Sequence, residues 1–231
     1  MINYQKELEK ILEINDKQKN EQGGADQIPT LFLHSCCAPC SSYVLEYLAP
    51  YFRITVFYYN PNISMEEEYQ HRVQEQKRLI QAYNDEGKGH RIEILEGDYQ
   101  PADFYKVARG YEQCEEGGER CFRCYELRLR ETALQASKRG ADFFGTTLTI
   151  SPLKNAQKLN EIGLRLEKEL QAGAPDGDQR SVRWLPSDFK KKGGYQRSIE
   201  LSRQYELYRQ DFCGCSFSKA ERERQKKEQA K

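Results

Sequence analysis

The sequence predicts an α/β fold, a mostly parallel sheet with flanking helices and a cysteine-rich site at the C-terminal strand ends. Three observations point there. Short apolar runs alternate with longer helical patterns along most of the chain, which implies βαβ units. No run approaches the ~20 apolar residues of a membrane span, so no membrane association is expected. The first cysteine cluster falls in a strand-to-helix loop, where open parallel sheets place their sites.

Taken in order, residues 3–19 form a charged helix with Tyr4, Leu8, Ile11 and Leu12 at helical spacing, ended by the polar stretch 22–26. Residues 30–34 read as a short buried strand that runs into Ser35-Cys36-Cys37-Ala38-Pro39-Cys40-Ser41-Ser42. A helix follows to about residue 48, with Pro39 or Ser41 near its start. A second strand at 54–59 stops at Asn60-Pro61-Asn62. The long amphipathic helix 65–84 opens on a Ser64 cap, with Glu66, Glu67 and Glu68 in its first turn. A third strand at 91–95 follows a Gly-Lys-Gly turn. Helical patterns at 103–109 and 122–138 lead to a fourth strand at 143–148. A helix at 155–171, a loop rich in Gly, Pro and Asp, a last strand at 182–185 and a helix at 196–208 complete the regular part. From residue 219 the chain is almost wholly polar and reads as frayed helix or disorder. Residues 1–27 are thus a helical extension, 28–218 a single α/β domain, and 219–231 a charged tail. At 231 residues, one large domain is the natural reading, against ~100–200 residues for a typical domain.

Thirty-six basic and thirty-six acidic side chains give a net charge of zero, which by itself argues against a bulk polyanion binder. The halves differ, however. Residues 1–116 carry 12 basic and 20 acidic groups, and residues 117–231 carry 24 and 16, so one region can still present a basic face to nucleic acid. The N-terminus lacks the basic-then-apolar layout of a secretory signal, so a cytoplasmic location is expected. Thiols stay reduced there, and eight cysteines then ask for metal, cluster or redox chemistry.

The cysteines fall into three groups. Cys36, Cys37 and Cys40 share the first loop; Cys114, Cys121 and Cys124 surround a later helix start; Cys213 and Cys215 flank Gly214. None sits alone within an apolar element, where a free cysteine merely fills space. A Cys-x-x-Cys pair at a helix start favours thiolates, and two such loops offer four soft ligands to zinc or to an iron–sulfur cluster. The adjacent Cys36-Cys37 pair is an unusual zinc knuckle, which favours the cluster. Tyr43 stands where a Cys-x₃-Cys-x₂-Cys radical motif would need a third cysteine. Cys213-Gly214-Cys215 reads as a labile redox pair or as a second pair of metal ligands. Neither Gly-x₄-Gly-Lys-Ser/Thr nor Gly-x-Gly-x-x-Gly occurs, which argues against nucleotide-dependent chemistry.

Beyond these patterns, the string His34-Ser35-Cys36-Cys37-Ala38-Pro39-Cys40-Ser41 resembles the N-terminal signature of the QueH type of epoxyqueuosine reductase. The resemblance continues through Tyr58-Tyr59-Asn60-Pro61-Asn62-Ile63 with Glu67, Glu68, Tyr69 and Arg72, then 121–129, 146–152, 188–194 and 208–216. Lys190, where arginine is usual, and Thr149, where leucine is usual, are the departures. The resemblance implies a Rossmann-like fold of the nucleotide-α-hydrolase (HUP-like) branch. It implies two-electron reduction of the epoxide of epoxyqueuosine, carried by a tRNA with a GUN anticodon, and an electron donor that it does not identify. It also implies a [4Fe–4S] cluster on Cys36, Cys37, Cys121 and Cys124, an additional iron beside it at Cys40, and a redox pair at Cys213 and Cys215.

Other residues complete the expected site. Tyr59 and Asp188 are candidate proton donors, and Asp188 also suits a metal ligand or a helix cap. Asn60, Asn62, Lys190 and Arg209 are candidate substrate contacts, although turn chemistry also explains the asparagines. His34 reads either as a proton relay or as a core histidine. The basic stretch 180–210, eight cations against three anions, suits a phosphate footprint or a solvated face. Two other classes stay open, a zinc-stabilised tRNA-binding protein without redox activity and a thiol–disulfide oxidoreductase acting on proteins.

Overall fold

The computed structural model describes residues 2–22, 28–173 and 181–229. Most of the expected polar stretch at 22–26, the Gly/Pro/Asp-rich loop at 174–180 and the last two residues of the tail lie outside them. In chain order the elements are α1 (Tyr4–Gln22), β1 (Thr30–His34), α2 (Ala38–Leu48), β2 (Arg53–Tyr58), α3 (Glu66–Asp85), β3 (Glu93–Glu96), α4 (Pro101–Ala108) and α5 (Glu119–Lys138). They continue with β4 (Phe143–Thr146), α6 (Ala156–Ala172), β5 (Arg183–Trp184), α7 (Gly194–Gln204) and α8 (Ser216–Gln229).

All strand pairs are parallel, in the order β3-β2-β1-β4-β5. The chain builds outward from β1 on one side, then crosses back to build on the other. That reversal opens a crevice beyond the C-terminal ends of β1 and β4. Alternate strand residues serve opposite faces, as the pleat requires. Leu31, Leu33, Ile54, Val56 and Phe143 meet Leu8, Leu12, Val44, Leu45 and Leu48 on one face. Phe32, Phe57, Phe144 and Trp184 meet Leu129, Ala133, Leu159 and Leu166 on the other. Helix α1 therefore adds Leu8 and Leu12 to the same core as the sheet.

Several boundaries differ from the sequence expectation, each for a local reason. Ser64 does not cap α3: Met65 holds that position without a side-chain cap, and the Ser64 hydroxyl donates to Gly214 O at 3.3 Å. β4 stops at Thr146 because its Oγ1 accepts from Leu148 N–H and starts a 3₁₀ turn over Thr147–Ile150. α5 begins three residues early, at Glu119, so Cys121 already lies within the helix. α7 ends at Gln204, not 208: Glu206 takes a left-handed φ of 49°, and Leu207 N–H returns to Ser202 O at 2.8 Å. The polar tail is helical from Ser216 through Gln229, largely exposed, where frayed helix or disorder is expected.

On the far face, Asn160 Oδ1 accepts from Trp184 Nε1 and from Ser187 N–H, each at 3.0 Å, which docks α6 on β5. A methyl group at Gly163 would run into the Trp184 ring. Gly163→Ala is therefore expected to cost about 1–3 kcal/mol by overpacking. At Gly173 an added methyl meets only ordinary contacts, so Gly173→Ala should change stability by less than about 0.5 kcal/mol. Urea unfolding of the two variants checks the contrast, and equal midpoints would refute it.

Candidate active site

The crevice between β1 and β4 is where the first cysteine loop sits. Ser35 N–H continues the ladder to Phe57 O at 3.0 Å, and the hydroxyls of Ser35 and Ser41 close a buried triangle with Gln76 Oε1 at 2.6–2.9 Å. This holds Cys37 at the N-cap of α2, with Pro39 just inside the helix. The sulfurs of Cys36, Cys37 and Cys40 then lie within 4.8 Å of one another, with Cys36 and Cys37 3.7 Å apart. They form a metal-binding group in kind, three soft donors on one loop. Hydrogen bonds from the Cys37 and Cys40 thiols hold Cys36 well below the usual thiol range, and the same sharing pushes Cys37 up to about 12.

Helix α5 supplies the opposite wall. Gly118 is its N-cap, and Cys121, Cys124 and Arg128 fall on one face at i, i+3 and i+7. Arg128 is 3% exposed and donates to Asn60 Oδ1 at 2.5 Å and to His34 Nε2 at 3.2 Å, with Cys124 Sγ 4.0 Å away. The His34 ring is fully enclosed by polar neighbours: Nε2 lies 3.2 Å from both Arg128 Nε and the Tyr59 carbonyl oxygen, and Nδ1 lies 2.9 Å from Thr146 Oγ1. Burial and the Arg128 charge press its pKa down to about 3. His34 is thus an uncharged strut under Arg128 near neutrality. No carboxylate among the described residues pairs with Arg128. A buried cation in that position calls for anions nearby, and the side chains beside it that can become anionic are cysteines, with Cys124 Sγ in contact.

The third cysteine group arrives from the far end of the chain. Arg72, paired with Glu68 at 2.7 Å, donates to Cys213 O at 3.2 Å and to Phe212 O at 3.5 Å. Asn62 Nδ2 also donates to Cys213 O, and Ser64 N–H to Gly214 O. Gly214 has a φ of 114°, and a methyl there would press Ile63 Cγ1 at 2.8 Å, so only glycine suits this position. Cys213 Sγ and Cys215 Sγ lie 3.5 Å apart as free thiols. Their shared hydrogen bond holds Cys213 well below its ordinary range and raises Cys215. Lys154 stands beside them: burial pulls its pKa down, but the Cys213, Tyr125 and Glu116 charges outweigh that and keep it an ammonium.

These groups line two cavities that share Arg128, Lys154 and Cys213 as walls. The larger, about 560 Å³, is floored by Cys36, Cys37, Cys40 and Cys213 and rimmed by exposed Leu153, Tyr195, Arg209 and Arg222. The smaller, about 20 Å³, is bounded by Cys121, Cys124, Cys213, Cys215 and Asn62. The structure thus brings seven cysteines, Cys40 among them, and Arg209 to two adjoining cavities. It leaves Cys114 out: that residue's carbonyl merely accepts from Arg120. Asp188 and Lys190 pair with each other at 2.7 Å and line neither cavity. The Tyr59 ring stacks on Phe57 at 5.8 Å, away from both. Asn60 spends its amide on Ser35 O and Arg128, so it braces the site from below. In the basic stretch, Lys192 and Arg197 are tied to Glu9 and Glu46, as a solvated face would be. Arg128, Arg72, Lys154 and Glu116 also line the larger cavity, and the residue patterns gave them no role. The signal for Arg128 was available, since it follows Cys121 by seven residues on one helical face.

The chain matches the family model for epoxyqueuosine reductase QueH over residues 31–221. It is 40% identical over 219 residues to the epoxyqueuosine reductase QueH of Staphylococcus epidermidis, covering 94% of this chain and 84% of that one. The Streptococcus pyogenes protein of the same name is 37% identical over 217 residues, covering 94% and 78%. That of Thermotoga maritima is 32% identical over 199 residues, covering 84% and 92%. Among solved structures, the U34-tRNA thiolase NcsA of Methanococcus maripaludis, with its [4Fe-4S] cluster, aligns at a TM-score of 0.44 and 14% identity over 94% of this chain and 73% of that one, too loosely to carry an argument. These relatives favour neither the zinc-stabilised RNA-binding protein nor the protein disulfide oxidoreductase.

The brace under the thiols has a measurable strength. Arg128→Met leaves Asn60 Oδ1 without its donor, which is expected to cost about 1–3 kcal/mol for the stranded acceptor. In a double-mutant cycle with Asn60→Ala, the coupling should fall at about 1–3 kcal/mol in urea unfolding. Additive effects would show that the two side chains do not act together.

Proposed function

The chain belongs to the epoxyqueuosine reductase QueH family, an oxidoreductase family of tRNA modification, and from that premise we propose that the sulfur-floored cavity is where the epoxide of epoxyqueuosine is reduced. One observation carries the reading: seven cysteines converge on two cavities joined at a buried arginine that has no carboxylate partner among the described residues. The substrate is a tRNA with a GUN anticodon, which places the reaction in the cytoplasm. Among the described residues no helix is long and apolar enough to cross a membrane.

The donor set suits a [4Fe–4S] cluster on Cys36, Cys37, Cys121 and Cys124: all four line cavities walled by Arg128, and as ligands they would be thiolates that balance its charge. Cys40, within reach of Cys36 and Cys37, would hold an additional iron. When bound, these groups supply single-electron transfer and an electrophile for the epoxide oxygen. The rest falls to the chain itself. Arg128 holds negative charge on the sulfurs, and His34 and Asn60 hold Arg128. Reduction of an epoxide to an alkene takes two electrons and two protons, and the oxygen leaves as water. Cys213 as thiolate and Cys215 as thiol give the two electrons and one proton on joining as a disulfide. Lys154, 3.4 Å from Glu116 Oε1 on the cavity wall, is placed to hand over the other proton from solvent. Arg209 on the rim suits a phosphate, and Asn62 sets the height of Cys213. Tyr59, Asp188 and Lys190, outside both cavities, take no part in the step. An external electron donor returns the disulfide to the dithiol.

The deciding experiment is an anaerobic incubation of the purified protein with tRNA bearing epoxyqueuosine and a chemical reductant, followed by nucleoside mass spectrometry. Queuosine should accumulate, and the protein should carry iron and sulfide; a colourless protein with one zinc would sink the cluster. Cys213→Ser is expected to keep the iron and sulfide content while turnover falls at least 100-fold, on the order of the loss of a participating group. Cys121→Ala should lose both. Activity surviving in Cys121→Ala would favour a thiol transferase.

A further inference from the structure

Ser218 lies in α8, 2% exposed, and touches both sulfurs of the Cys213-Gly214-Cys215 loop. Its Oγ is 3.0 Å from Cys213 Sγ, and its N–H donates to Cys215 Sγ at 3.3 Å. The same oxygen accepts from Cys213 N–H at 3.2 Å and lies 3.3 Å from the Cys215 carbonyl oxygen. The hydroxyl has one proton and two acceptors for it, a sulfur and a carbonyl. Which acceptor wins depends on charge. A thiolate takes a charge-assisted bond about twice as strong as a neutral one, whereas neutral sulfur is a weak acceptor.

We propose that Ser218 is a positioning residue that sets the reduction potential of the Cys213–Cys215 pair, its hydroxyl donating to the Cys213 thiolate in the reduced chain and turning to the Cys215 carbonyl when the disulfide forms. The proposal rests on the reading of these two cysteines as a redox pair. The balance is simple. The Cys213 thiolate and the Cys215 thiol join through a new S–S bond, and two electrons and the Cys215 proton leave toward the epoxide. A second proton from solvent completes the water. Ser218 keeps its own proton throughout and only redirects it. Both contacts to sulfur favour the reduced form, since the N–H to Cys215 also points at a sulfur that loses acceptor strength on oxidation. The spare carbonyl means that the hydroxyl is not stranded in the disulfide state, so the bias is a difference between two bonds rather than the loss of one.

The two roles that Ser218 could have differ in sign. Removing a hydrogen bond to the thiolate destabilises the dithiol and makes the potential more negative. Merely loosening the loop lets the thiols drift apart, which favours the dithiol and makes the potential less negative. The test is an anaerobic redox titration of the full chain with its metal content intact, in thiol–disulfide buffers. It is read by the alkylation mass shift of the peptide holding Cys213 and Cys215. Ser218→Ala is expected to move the equilibrium about tenfold toward the disulfide, about 30 mV more negative. Ser218→Thr should titrate like the wild type. Ser218→Gly, which keeps the N–H without the hydroxyl, should move in the same direction as Ser218→Ala and provides the answer should the alanine variant fail to fold. An unchanged or less negative potential in both hydroxyl-free variants overturns the proposal while leaving the redox pair standing. A wild-type chain in which the two thiols never form a reversible disulfide overturns the redox-pair reading and the proposal with it.

Discussion

Arg128 carries a full positive charge into the interior and finds a carbonyl oxygen, an imidazole nitrogen and a sulfur there, but no carboxylate. Desolvating a guanidinium costs several kcal/mol unless anions repay it. The groups placed to become those anions are cysteines on the β1–α2 loop, helix α5 and the Cys213–Cys215 loop, gathered where the sheet reverses its order of growth. The arrangement also explains why His34 must be neutral: a protonated imidazole 3.2 Å from a guanidinium would add a second unpaid charge. Much of the wall near β1 can be understood as scaffolding that keeps this one cation dry and aimed at sulfur.

The C-terminal cysteines reach the crevice from nearly 90 residues beyond Cys124, and the hands that hold them belong to the β2–α3 region. Arg72, Asn62 and Ser64 grip carbonyl oxygens of Phe212, Cys213 and Gly214. Burial of Arg72 is affordable because Glu68, one helical turn earlier, pairs with it on the same face. The resemblance motif that contains Glu68 and Arg72 is therefore a docking device for a loop it never adjoins in sequence.

The alternation of apolar runs and helical patterns was enough to reach the layered α/β architecture, and the loop after β1 was enough to locate the site. What stayed illegible has physical causes. Nothing in the composition of 196–208 marks the end of α7, because Glu206 adopts a left-handed turn that glycine ordinarily takes. Lys190, Lys192 and Arg197 count as basic in any window, and only the fold shows them tied to Asp188, Glu9 and Glu46. Asp188 and Tyr59 follow strands closely, as site residues often do, yet one turns to a lysine and the other to a phenylalanine. Ser64 has the chemistry of a cap, but Met65 takes that position and Ser64 donates instead to Gly214 O across the molecule. In each case a local preference was overruled by a partner distant in sequence.

The grip on the Cys-Gly-Cys loop is indifferent to what its sulfurs do. Arg72, Asn62 and Ser64 hold backbone oxygens, whose acceptor strength does not change when a thiol is oxidised. A change in the chemical state of either sulfur therefore leaves this mooring in place. What anchors the loop is thus its backbone, and its two side chains are left to answer to their own surroundings.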